Sequence, residues 1–514
     1  MQGETRIAVA NRTVWLFLIG FALSCVSTGS AQAAKSKKGR PTPSLGQSFT
    51  PEQLKEDVKV LRQALEGAHP GLYLYTSKEE FDRQFDHVGQ AFDRPMTLHE
   101  FYLEVAPLVE KVYCGHTYFD LPPKLLKSLR KEASVFPLPL SFLNKKAYVD
   151  HTDVKVPLGA EITAINGVPM NKVLAKLLPY IRSDGYNVTL KYRQMEDEFA
   201  LHYFLSFGRK ETFQVDYLPF GSEKKSSKPV QSIPANKLED VLAERHSNLG
   251  KLKKYKLSPV DKGIQLFSMN SFDFGLNKKG RQRYKAFLRE SFESLEQNDA
   301  VKCIILDLRQ NDGGYVGNDA QLFSYFAQAP FRDVKSAETK TLTIPVKDHL
   351  ARNQFPKMLE KILGKEFRKV DPVRYAMLDE KNREWKPRKT AFDGHIYTLI
   401  SGWTHSGGVV LCSFLLNNDN VTFIGEETGG GHATFTAGNM VLYDLPNTRC
   451  QLEVPLIQYE NHRGDRTFPK GSGVRPDHPV AQNQKDFVTK VDTVMEFALE
   501  LALKRASGKD GTDK

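Results

Sequence analysis

Val301-Lys-Cys-Ile-Ile-Leu-Asp-Leu-Arg-Gln-Asn-Asp-Gly-Gly314 and Ile396-Tyr-Thr-Leu-Ile-Ser-Gly-Trp-Thr-His-Ser-Gly-Gly-Val-Val-Leu411 decide how this chain is read. Each is an apolar, strand-like run that breaks at small and polar residues and resumes with a helical pattern. In α/β sheets the crevice at the carboxyl ends of the strands is where ligands sit. Two neighbouring strands ending this way would bring the N–H groups of Gly313 and Gly314 towards the hydroxyl of Ser406. Amide donors beside a nucleophile are what acyl transfer requires.

The rest of the chain extends this α/β pattern outward. From about 255, strands are expected at Ile264–Met269, Ile304–Leu308, Ile396–Ile400 and Val421–Ile424, alternating with helices over about 279–297, 319–327 and 406–416. The charged, interrupted region 347–394 reads as an insertion. Upstream, three helices are announced by their caps: Thr50-Pro-Glu-Gln53, Ser77 with Glu80, and Thr97 with Glu100. Each carries one apolar stripe, which predicts a small helical domain over 50–130. Residues 135–220 alternate strand and turn signals. Leu158–Pro169 closes in an Asn-Gly turn, Val173–Leu178 reads as a short helix, and Val188–Tyr192 and Phe213–Leu218 read as strands. The polar stretch 221–254 reads as a linker, 255–505 as the α/β domain and 506–514 as a polar tail.

At 514 residues the chain exceeds one ordinary core. The formal charge of +11 raises the question of nucleic acid. The basic runs are scattered and not interleaved with aromatics, which argues against that partner. A basic exterior remains compatible with an anionic envelope surface. Arg6, Arg12, the apolar run Val14–Leu23 and Ala31-Gln-Ala33 form the pattern of a secretory signal peptide over 1–33, followed by a flexible lead-in over 34–49. Cys25 is the alternative site, for lipidation. No later stretch is apolar enough to span a membrane. Export would place the protein in the periplasm or outside the cell. Cys114, Cys303, Cys412 and Cys450 show no metal-binding spacing; disulfides stay open, with Cys303 and Cys412 expected free and buried. No metal or cofactor is expected.

Ser406 has two readings: a helix N-cap, or a nucleophile whose following glycines admit substrate and whose helix N-terminus favours an oxyanion. A nucleophilic serine needs a base, and His116, His405, His432 and several lysines are candidates. His405 adjoins Ser406 and is expected to point away from it, whereas His432 sits in a glycine loop. Asp307 reads as a partner of Arg309 or of a turn N–H, with a part in the site as the alternative, and Glu426 and Glu427 either orient a histidine or brace a loop.

At these residues the chain resembles the C-terminal processing (tail-specific) peptidases. The resemblance rests on Leu306–Gly314, on Ser406 and its following glycines, on Ile424-Gly-Glu-Glu-Thr-Gly-Gly430 and on Gly473-Val-Arg-Pro-Asp477. It covers about 260–480. It implies an α/β catalytic domain of the crotonase-like or ClpP-like spiral type and a PDZ-like α+β insertion. Gly159–Pro169 resembles part of such an insertion, without a Gly-Leu-Gly-Phe loop. It also implies a serine endopeptidase acting on proteins or peptides. The family's lysine is missing from Gly429-Gly-Gly-His-Ala433. Tyr113-Cys-Gly-His-Thr117 instead resembles the signature of the tricorn-like branch, which implies His116 as base, with His432 as the alternative. Gly313, Gly314 and Gly407 would hold the oxyanion. The third catalytic member is unassigned, because Pro469-Lys-Gly-Ser472 offers no carboxylate. The alternatives are a non-catalytic peptide- or ligand-binding protein on the same fold, and hydrolysis of a non-peptide ester or amide.

Overall fold

The computed structural model describes residues 41–508, apart from 153–154, 246–251, 275–277, 353, 463 and 465. The signal-peptide segment, Cys25, residues 34–40 of the lead-in and residues 509–514 of the polar tail lie outside the described residues. Within them, no helix is long and apolar enough to cross a membrane.

The C-terminal half is built on a six-stranded sheet in the order Tyr255–Asp261, Ile264–Met269, Cys303–Asp307, His395–Ile400, Val421–Gly425, His478–Pro479. The first pair is antiparallel and the others are parallel. Buried on both faces, its central strands read as near-continuous apolar runs, as parallel strands do. Alternate side chains divide between two cores. Ile304, Leu306, Ile396 and Phe423 pack under the helices Lys278–Glu296, Asn318–Phe323 and Gly407–Leu415. Cys303, Ile305, Tyr397, Leu399 and Ile424 pack on the opposite side against the helix Thr493–Ala506.

The capped helices form as expected over Pro51–Ala68, Lys78–Ala91 and Leu98–Glu110. Thr50 and Thr97 close capping boxes, and the Ser77 side chain accepts from the Glu80 amide. Their stripes share a core with strands from 336–460, and are not packed only on one another. Two elements tie them there. Tyr118–Asp120 adds to the hairpin Val441–Asp444/Gln451–Val454, pairing with the latter strand. The buried carboxylate of Asp57 accepts from the Asn447 and Thr448 amides at 2.9 and 2.8 Å. Region 347–394 contributes the helix Pro356–Glu366. Its strands Phe367–Asp371 and Arg374–Met377 extend a second antiparallel sheet.

The middle region is an antiparallel sheet in the order Ser226–Gln231, Thr212–Leu218, Glu161–Ile165, Lys146–Val149, Leu140–Leu143. The helices Met170–Leu177 and Thr189–Phe207 share its core. Two expectations fail here. Val188–Tyr192 is no strand: Thr189 begins a helix of 19 residues whose apolar side chains serve two cores at once, which erases the one-face period. The expected linker contains the edge strand Ser226–Gln231 and the helix Ala235–Arg245. Pro229 is tolerated there because an edge strand leaves one row of N–H groups unpaired.

Candidate active site

The strand His395–Ile400 ends in a turn that fixes the next residues from both sides. Thr404 Oγ1 donates to the Leu308 carbonyl at 2.9 Å, and the His405 amide donates to the Asn311 carbonyl at 2.9 Å. Ser406 then adopts φ +51° and ψ −124°, and the helix Gly407–Leu415 begins. A non-glycine residue held at such angles costs roughly 1–3 kcal/mol and persists only where its surroundings impose it. Its side chain makes no cap hydrogen bond, which removes the N-cap reading. The hydroxyl lies instead 3.2 Å from His116 Nε2.

His116 arrives from the far end of the sequence. The helix Leu98–Glu110 ends, Tyr113 turns the chain at φ +52°, and Tyr118–Asp120 locks into the C-terminal hairpin. Residue 115 has to be glycine: a Cβ there would stand 2.6 Å from His405 Nε2 and 3.1 Å from Asp184 Oδ2. The His116 ring stacks on His405 with centroids 4.8 Å apart and has Phe435 at 6.3 Å. Burial, helped by neighbouring His405, lowers its pKa to about 3, against the pull of Asp184. The resting ring is therefore neutral, with a lone pair available for a proton. His116 Nδ1 is buried without a hydrogen bond of good geometry. The Thr436 carbonyl, which accepts from Cys114 Sγ at 3.4 Å, favours the protonated ring only weakly.

Asp184, which the sequence reading missed, lies behind the two rings. It accepts from the Gly115 amide at 2.6 Å and from the Gly431 amide at 3.4 Å, and pairs with His405 Nε2 at 3.2 Å. Burial pushes its pKa up, but the His405 hydrogen bond, both imidazoles and the Gly115 amide outweigh that and hold it at about 2. The site thus keeps a buried carboxylate beside its histidines. Its loop is pinned by Tyr186 N to the Gly471 carbonyl at 2.8 Å and by Asn187 Nδ2 to the Thr428 carbonyl at 2.8 Å. The only local signal was the turn sequence Ser183-Asp-Gly185.

The glycines divide their work. Gly313 (φ +97°) presses against the serine, so that a Cβ would come 2.6 Å from Ser406 Cβ and 3.0 Å from its Oγ. Its amide donates to Asn311 Oδ1 at 2.9 Å and is not available as the expected oxyanion donor. The amides of Gly314 (φ +148°) and Gly407 find no acceptor among the described residues. Gly407 opens its helix, where N–H groups have no intrahelical partner.

The remaining candidates hold the scaffold. His432 Nδ1 donates to the Ser472 carbonyl at 2.9 Å, and its ring meets Phe468 edge-on. Asp307 binds Arg309, which also binds Asp492. Glu426 accepts from Gly402 N, and Glu427 from Gly473 N, so both brace loops. Cys114, Cys303, Cys412 and Cys450 are buried thiols, none of them in a disulfide among the described residues.

No curated protein matches the chain by sequence. Among solved structures, mature CPAF is similar at TM-score 0.63 and 14% identity, over 90% of this chain and 99% of that one. Mature CPAF complexed with lactacystin is similar at TM-score 0.62 and 13% identity, over 90% and 99%. The photosystem II D1 C-terminal processing protease aligns at TM-score 0.39 and 13% identity, over 84% and 93%. At these identities the likeness to CPAF is one of fold. Residues 264–480, somewhat less than half of the chain, match the model of peptidase family S41, and over that segment the chain is similar to that family of peptidases.

Proposed function

We propose that Ser406 is the nucleophile and His116 the general base of an exported peptidase. The observation that carries this is the 3.2 Å approach of His116 Nε2 to Ser406 Oγ, between residues 290 positions apart. In its Nδ1–H form His116 takes the serine proton at Nε2 as Oγ attacks the peptide carbonyl. The oxyanion accepts hydrogen bonds from the Gly314 and Gly407 amides, aided by the positive end of the helix. The imidazolium then gives its proton to the departing amine, and water, deprotonated by the same ring, releases the acyl group. Asp184 stabilises the positive charge that the rings acquire, and its bond to His405 holds the ring on which His116 stacks.

The middle unit is read as PDZ-like, supported by its antiparallel sheet and paired helices; in this reading it supplies Asp184 to the site. Export rests on the Arg6–Ala33 pattern and predicts a mature N-terminus after Ala33, placing the peptidase in the periplasm or outside the cell.

A fluorophosphonate, which labels activated serines, tests the mechanism. Labelling of the parent that disappears in Ser406→Ala supports it. Peptide turnover by Ser406→Ala at the parent rate overturns it. Stable peptide binding with neither labelling nor turnover by the parent would favour the non-catalytic binding protein.

A further inference from the structure

A second set of chemistry-bearing groups shares the site, joining His116 and Asp184 to Cys114, which has no part in the proposed acyl transfer. Cys114 Sγ, a ring nitrogen of His116 and a carboxylate oxygen of Asp184 all lie within 4.8 Å of one another, and all three residues are buried. The His116 nitrogen facing Ser406 is Nε2, while Nδ1 is buried without a hydrogen bond of good geometry. Thiolate, imidazole and carboxylate are the donors that Zn²⁺ accepts. Its bond lengths of about 2.0–2.3 Å set tetrahedral ligands about 3.5 Å apart, so the trio needs a contraction of roughly one ångström. Cys114 and His116 share one turn. The Gly115 amide between them already holds the Asp184 carboxylate at 2.6 Å. No sequence spacing announced this set, because the third ligand comes from a loop about seventy residues downstream.

We propose that Cys114, His116 and Asp184 form an inhibitory site for a thiophilic divalent cation of the Zn²⁺ type. The inference rests on His116 being the base for Ser406. On binding, the Cys114 thiol gives up its proton to solvent, Asp184 contributes an anionic oxygen and His116 contributes the Nδ1 lone pair. Water fills the fourth position. An imidazole bound to metal through Nδ1 carries its remaining proton on Nε2, the nitrogen that faces Ser406. That nitrogen then donates to Oγ and cannot accept its proton. The cation switches the peptidase off through the tautomer, without touching the serine. It also occupies the carboxylate that would stabilise the imidazolium. Cys114 is dispensable for catalysis and needed for inhibition, which separates the two functions experimentally.

The test uses the full mature chain stripped of metal with a chelator, Co²⁺ as an optical probe, Zn²⁺ as inhibitor and fluorophosphonate labelling as the activity readout. Co²⁺ should give a thiolate-to-metal charge-transfer band in the parent and in Ser406→Ala, absent from Cys114→Ser. Zn²⁺ should suppress labelling of the parent, and chelator should restore it. Cys114→Ser should label at the parent rate without metal. Losing even a residue that only orients a metal ligand costs about 10–100-fold in affinity, so this variant should need at least roughly tenfold more Zn²⁺ for equal suppression. Cys114→Ala makes the same separation if the serine variant folds poorly. Absence of the Co²⁺ band, or equal Zn²⁺ sensitivity of parent and Cys114→Ser, overturns the proposal. A parent with the Co²⁺ band that never labels would support the ligand set and overturn the peptidase mechanism instead.

Discussion

Ser406 is held at φ +51° with its hydroxyl turned from the helix it precedes and towards His116. Asp184 pairs with His405 and makes no hydrogen bond to His116, so in the proposed mechanism it is a positioning residue. Asp184→Asn keeps the shape and removes the charge. Loss of a carboxylate bonded directly to a catalytic histidine costs about 10⁴ in kcat. Without a direct hydrogen bond to His116, we expect a smaller loss, about 10–100-fold in kcat with KM little changed, read from peptide hydrolysis. Parent-like kcat would remove Asp184 from the site. The pH profile is a second residue-scale test. Burial lowers the His116 pKa to about 3, so the ring stays neutral and competent well below the ordinary histidine value of about 6.5. The acid limb of kcat/KM should therefore fall below pH 6.5, lost as pH drops towards 3 and His116 protonates. A limb centred at or above the ordinary histidine value would contradict the buried, neutral base.

At the scale of elements, the turn after Cys303–Asp307 and the turn after His395–Ile400 face each other across one register step of a parallel sheet. Gly313→Ala would drive a methyl to 2.6 Å from Ser406 Cβ at a backbone angle of φ +97°. We expect at least about a hundredfold loss of kcat, the scale of removing one oxyanion donor, with the chain still folded by circular dichroism. Undiminished activity would mean that the turn does not abut the nucleophile. These elements were legible in the sequence because parallel strands buried on both faces leave unbroken apolar runs that end in Gly or Ser. The capped helices were legible from Thr50, Ser77 and Thr97. Thr189–Phe207 was not, since its buried residues face two cores, and the edge strand Ser226–Gln231 hid behind Ser, Lys and Pro. The Gly313 amide was misassigned because its acceptor, Asn311 Oδ1, is a local side-chain bond that glycine spacing does not reveal.

At the scale of the molecule, His116 and Ser406 come from distant parts of the chain, 290 positions apart, and the fold joins them. Tyr118–Asp120 pairs with Gln451–Val454 beside the site, and Asp57 caps the turn at Asn447–Thr448. Asp57→Ala would leave those buried amides unsatisfied. The expected loss is about 1–3 kcal/mol of unfolding free energy in urea titration, and an unchanged midpoint would show that the two halves are not coupled there. Such pairings explain why Asp184 escaped the sequence: its partner His405 lies 221 positions away, and nothing local to Ser183-Asp-Gly185 marks it. His116 was found through a resemblance, its reach to Ser406 being a property of the folded chain.

The convergence of Ser406 and His116 is tested most directly by the rate of fluorophosphonate labelling, with the modified residue mapped by mass spectrometry in the parent and in His116→Ala. The account predicts one adduct, on Ser406, forming at least about a hundredfold more slowly without the imidazole. An adduct on another residue, or an equal rate in the two proteins, would contradict it.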